Sequence, residues 1–109
     1  MKLIEKQCVP CEGGMPPFAQ DQITECIAQL GRNWEVVDQI KLKKQYKFFD
    51  FKGAMEFVNK VANVAEEQQH HPDIHVFYGK VVIELWTHAV RGLSENDFIM
   101  AAKIDTLAI

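Results

Sequence analysis

Residues suited to chemistry are concentrated in one stretch of this chain. All four histidines, His70, His71, His75 and His88, lie between Glu66 and Asp97. Imidazole has an ordinary pKa of about 6.5, so a pair of histidines flanking a substrate supplies one proton acceptor and one proton donor near neutral pH. No histidine has an obvious serine or cysteine partner for covalent catalysis, and no glycine-rich loop suits a phosphate. Two other uses compete. One is a plain polar junction, with one imidazole capping a helix end and the other solvated. The other is zinc, for which neutral imidazole is a common ligand. Adjacent residues such as His70 and His71 point to different sides of an extended chain, and the nearest carboxylate, Asp73, would point with His71, so the spacing is poor for a three-histidine site. His75 reads as a surface residue of a strand. Proton transfer without a metal is the chemistry these residues favour.

The elements that must position these histidines follow from apolar spacing. Residues 1–17 end in Gly13-Gly14-Met15-Pro16-Pro17 and read as irregular. From Asp21, Ile23, Cys26, Ile27 and Leu30 fall on one helical face, with Gly31 as the stop. Trp34–Val37 and the evenly spaced Ile40, Leu42, Tyr46 and Phe48 read as two antiparallel strands. Asp50 can cap a long second helix lined by Ala54, Val58, Val61 and Ala65 and widened by Phe57 and Val64. Pro72 pushes His71 out of helical geometry, so the histidine pair sits on a helix-to-strand junction. Ile74, Val76 and Tyr78 then alternate with their neighbours, Gly79 makes a tight turn, and Val81, Ile83 and Leu85 alternate in a strand expected to end at Thr87-His88. The antiparallel return brings His88 close to His70 and His71. Ser94-Glu95-Asn96-Asp97 resembles a capping box, with Phe98, Ala101, Ala102 and Ile104 continuing as a third helix. The order α-β-β-α-β-β-α predicts an α+β fold, a four-stranded antiparallel sheet with helices packed on one face, in a single domain over residues 1–109.

Composition narrows the function classes. The chain has 109 residues, 48% hydrophobic and 25% charged, the balance of an ordinary globular domain. A net charge of −3 with no lysine or arginine cluster leaves no footprint for direct nucleic-acid binding. Three cysteines, Cys8, Cys11 and Cys26, cannot form a disulfide framework, and the Cys8-Val9-Pro10-Cys11 pair lacks a second ligand pair to complete a tetrahedral metal site. No signal-peptide core and no long apolar run is present, so a cytoplasmic location away from membranes is expected.

Glu66, His70-His71-Pro72, Tyr78, His88 and Asp97, in this order and spacing, resemble the signature of the pterin-4a-carbinolamine dehydratases, also called 4a-hydroxytetrahydrobiopterin dehydratases. Thr87-His88 followed by Gly92-Leu93-Ser94 is similar to the family too, as is the N-terminal C-V-P-C-E-G-G-M-P-P to its microbial members. The α-β-β-α-β-β-α order agrees with the family fold. The resemblance implies a hydro-lyase that removes water from a 4a-hydroxytetrahydropterin to give the quinonoid dihydropterin, in recycling the cofactor of aromatic amino acid hydroxylases. It implies catalysis by His70, His71 and His88, with His70 and His88 as the acid–base pair and His71 binding substrate. Glu66 and Asp97 would orient these histidines or the pterin. Gln69, Pro72, Trp86, Thr87 and Ala89 would line the pterin pocket with the histidines. The pterin is the substrate, and no metal or separate cofactor is implied. Many relatives carry a tryptophan at the position of Ile74 and small polar residues at that of Trp86.

The resemblance also implies a homodimer joined through sheet edges or a homotetramer joined through helices, and the second helix has apolar surface for such packing. Family members also act as dimerisation partners of a transcription factor or in assembly roles. A non-catalytic partner of this kind is the alternative function, and three converging imidazoles favour the enzyme.

Overall fold

A computed structural model describes residues 2–10 and 15–108. Its helices are α1 (Gln20–Ile27), α2 (Phe51–Gln68) and α3 (Glu95–Asp105), and its strands are β1 (Glu35–Val37), β2 (Lys41–Lys47), β3 (Asp73–Phe77) and β4 (Lys80–Leu85). The strands form one antiparallel sheet in the order β1-β2-β4-β3. Alternation sets the faces: Leu42 and Tyr46 on β2 and Val81, Ile83 and Leu85 on β4 are buried, while Lys43, Gln45 and Lys47 are exposed. The helices cover the buried face, which agrees with the expected class and element order.

Asp50 caps α2, accepting from Gly53 N at 2.8 Å, and Ala54, Phe57, Val61 and Ala65 turn inward. In α3 the buried set is wider than one stripe, because Ile99 and Met100 are as covered as Phe98, Ala101 and Ile104. The helix packs against α2 and β4 and also against α1 and a short 3-10 helix, Leu3–Glu5. A helix covered by several elements reads as apolar nearly all round.

Several boundaries differ from the sequence reading, among them Ile40 and Phe48, which fall just outside β2. The α1 helix ends at Ile27, because Gln29 N and Leu30 N bond back three residues, to Cys26 O and Ile27 O, and tighten the last turn before Gly31. Residues before Pro17 are not irregular throughout, since Leu3 is buried in the core within its 3-10 helix. β4 ends at Leu85, short of Thr87-His88. Beyond it Thr87 pairs with Gly92 in an isolated bridge, Thr87 N donating to Gly92 O at 2.8 Å, and the loop between them closes as a 3-10 helix, His88–Val90. At the other end of the hairpin β3 stops at Phe77, and Tyr78-Gly79 form the turn. Glycine is required there: Gly79 O accepts from Phe48 N at 2.8 Å, and a Cβ on residue 79 would lie 2.9 Å from Phe48 O.

Candidate active site

The site is built where α2 ends, β4 ends and α3 begins. Gln69 caps α2 in the left-handed region, φ 54° and ψ 39°, and His70 N reaches back to Ala65 O at 3.2 Å. That turn sends the adjacent histidines to opposite environments. The His70 side chain is 12% exposed and the His71 side chain 55%. A second left-handed residue, Arg91 at φ 55°, closes the His88–Val90 turn and leaves His88 exposed on the same side of the fold.

Asp97 holds this arrangement together. It is fully buried in the first turn of α3, where the positive end of the helix dipole favours a carboxylate. Its Oδ2 accepts from Ser94 N at 2.9 Å, the reciprocal half of a capping box, and from Thr87 Oγ1 at 2.8 Å. Thr87 Oγ1 also lies 2.7 Å from Ser94 Oγ. With its own proton given to Asp97, Thr87 accepts the Ser94 hydroxyl proton. Asp97 Oδ1 is 2.7 Å from His70 Nε2. An ionised carboxylate only accepts, so Nε2 carries the proton, and the lone pair of neutral His70 is on Nδ1. Asp97 therefore does two jobs that the sequence could not separate, capping α3 with one oxygen and orienting His70 with the other.

His88 is positioned by packing. Its ring lies against Trp86, centroids 3.9 Å apart and planes inclined by 39°. Among the described residues no hydrogen-bond partner is assigned to its ring nitrogens. His71 Nε2 pairs with Glu66 Oε2 at 2.5 Å, with both side chains mostly exposed. An ion pair this solvated contributes about 0–1 kcal/mol and serves to aim the imidazole more than to stabilise the fold. His75 lies on exposed β3, 3.4 Å from Glu84 Oε1, and takes no part in this site.

A cleft of about 400 Å³ opens over this junction. His70, His71 and His88 line it together, with Gln69, Pro72, Trp86, Thr87 and Ala89. Those are the eight positions that the family resemblance assigned to the pocket. Glu66 and Asp97 stand behind it, each bonded to a lining histidine. Val9, Pro10, Asp73 and Asn96 also line the cleft and were not among the sequence candidates. Asn96 lies inside the capping-box tetrapeptide and Val9-Pro10 inside the N-terminal run, but nothing in either spacing signals a pocket wall. Among the described residues no three His, Cys, Asp or Glu side chains converge as metal ligands. Cys11, half of the Cys8-Cys11 pair considered for metal or redox use, lies outside the described residues.

Comparisons with known proteins point to one family. The family model described as pterin 4 alpha carbinolamine dehydratase matches residues 16–107. A Nitrosospira multiformis protein carrying the provisional name pterin-4-alpha-carbinolamine dehydratase is 50% identical over 96% of this chain and 91% of its own length. A Rickettsia bellii protein of the same provisional name is 47% identical over 96% of this chain and 93% of its own length. Among solved structures, a Brucella melitensis protein described as a transcriptional coactivator/pterin dehydratase superposes with a TM-score of 0.80 at 31% identity, covering 85% of this chain and 99% of that one. A pterin dehydratase-like protein described as a RuBisCO assembly factor in the alpha-carboxysome superposes with a TM-score of 0.61 at 25% identity, covering 71% of this chain and 90% of that one.

Proposed function

The chain belongs to the pterin 4 alpha carbinolamine dehydratase family, and on that premise we propose that it is a hydro-lyase converting a 4a-hydroxytetrahydropterin to the quinonoid dihydropterin. The observation that carries this reading is the Ser94–Thr87–Asp97 chain, anchored on buried Asp97, which sets the tautomer of His70 on the wall of a cleft that His88 also lines. In the elimination the C4a–O bond breaks, a proton leaves the adjacent ring nitrogen, a C4a=N double bond forms, and the hydroxyl departs as water once it receives a proton. His70 Nδ1, the lone pair left when Nε2–H is given to Asp97, takes the nitrogen proton. His88, packed against Trp86 on the cleft wall, delivers the proton to the departing oxygen. His71, aimed by Glu66, binds and orients the pterin, and Gln69, Pro72, Thr87 and Ala89 shape its surroundings. The pterin is the only small molecule this chemistry needs, and its natural setting is tetrahydropterin recycling beside an aromatic amino acid hydroxylase.

A partner-binding role is the second reading, because the two superposed structures are described by coactivator and assembly roles. The Asp97–His70 pair favours catalysis, since a scaffold has no use for an imidazole of fixed tautomer facing a cleft. Dehydration of a 4a-hydroxytetrahydropterin, followed by absorbance of the quinonoid product in metal-free buffer, separates the two. The native protein should accelerate the step, and His70→Ala and His88→Ala should each lower kcat about a hundredfold or more. A native protein without activity, or variants that match it, would hand the fold to the partner-binding reading.

A further inference from the structure

Residues Gln7–Pro10, which precede the stretch matched by the family model, cross the ends of the two helices that build the site. Gln68, in the last turn of α2 and 5% exposed, accepts from Cys8 N at 2.8 Å and donates from Nε2 to Gln7 Oε1 at 2.7 Å. Asn96, in the first turn of α3 and 4% exposed, accepts from Val9 N at 3.0 Å and donates from Nδ2 to Val9 O at 2.6 Å. The two buried amides stand two residues before His70 and one before Asp97, so the segment is locked to the elements that carry the proposed base. Lys6 adds a 2.7 Å pair with Glu95, and buried Leu3 anchors the segment from its other end.

The consequence falls on Val9 and Pro10, which line the same cleft as His70 and His88. Val9 is tied through its backbone, and the residue is 64% exposed. An apolar group held rigidly at the edge of a polar cleft is placed to be covered by a bound molecule, and a flat heterocycle with apolar faces suits it. We propose that this strap is a specificity wall of the site: Val9 and Pro10 cover an apolar part of the bound pterin, while Gln68 and Asn96 are positioning residues that hold them there. The proposal rests on the dehydratase reading of the cleft.

Val9→Ser keeps the backbone bonds and removes apolar surface, so KM for a 4a-hydroxytetrahydropterin should rise about five- to tenfold with kcat and Tm unchanged. Val9→Leu keeps the apolar surface and should hold KM within about twofold of native. Asn96→Ala releases the strap and should raise KM similarly, and adding Val9→Ser to it should raise KM no further, because the wall is already lost. Additive effects would overturn the positioning role of Asn96. Should Asn96→Ala not fold, Val9→Ser against Val9→Leu decides alone. An active native enzyme whose KM ignores Val9→Ser overturns the strap and leaves the dehydratase standing. An inactive native protein overturns the dehydratase reading and the strap with it.

Discussion

Asp97 is the side chain on which the proposed chemistry turns. Asparagine has the same shape and can still accept from Ser94 N, but its amide presents one donor edge where the carboxylate presents only acceptors. Ser94 N–H can only donate, so the amide oxygen keeps the Oδ2 place and the donor edge faces His70 Nε2, which reverses the proton arrangement that leaves His70 Nδ1 free. Asp97→Asn should therefore lower kcat about a hundredfold or more with little change in KM, read from the same absorbance assay. At this scale the sequence was informative about type. The capping-box spacing put Asp97 in the first turn of α3, and the resemblance flagged it beside the histidines, but only the structure brings the capping carboxylate within 2.7 Å of His70.

Elements deliver these residues through two left-handed turns. Gln69 at φ 54° lets α2 end and turns His70 inward. A side chain in that region carries a steric penalty of about 1–2 kcal/mol that glycine lacks. Gln69 lines the cleft, so substituting it tests the backbone and the pocket together. Gln69→Gly should stabilise the fold by about 0.5–1 kcal/mol, seen as a higher urea midpoint at unchanged m, and leave kcat within about twofold of native. A fall in midpoint would show that the Gln69 side chain, whose Nε2 donates to Glu66 O at 2.6 Å, outweighs the strain. The sequence located this helix end from Pro72 and the polar run before it. It did not contain the end of β4, because the Thr87–Gly92 bridge that replaces the last strand residues is a contact between chain segments and leaves no periodicity to read.

Across the whole molecule, the far end of α3 is tied to the sheet by one carboxylate. Asp105 accepts from Tyr46 Oη at 2.6 Å, Lys44 Nζ at 2.7 Å and Trp34 Nε1 at 2.9 Å. Burial first, then the hydrogen bond to Asp105 and its charge, push the Tyr46 phenol far above its ordinary 10.0. The folded state thus keeps a proton that the unfolded chain gives up, and this stabilisation is complete below about pH 10 and is lost as pH rises further. Urea unfolding of native protein and Tyr46→Phe should show the native advantage at pH 8 shrinking above pH 10, by up to about 1.4 kcal/mol per pH unit. A gap that stays constant with pH would mean that Tyr46 ionises alike in both states. Even charge and apolar spacing cannot announce such a tether, since Trp34 precedes β1, Lys44 and Tyr46 lie on β2 and Asp105 ends α3.

Element order, sheet alternation and the histidine set were determined by the sequence itself, because helical and strand periodicities and turn residues are local properties that survive without the rest of the fold. The eight lining positions came instead from the family resemblance, and the cleft holds all of them. The tertiary structure alone decided which histidine is buried, which nitrogen of His70 is left free, and that Val9 and Asn96 border the same cleft. Each of those depends on partners distant in sequence, 27 residues for His70 with Asp97 and 87 for Val9 with Asn96, and contacts across such separations are settled only when the core packs.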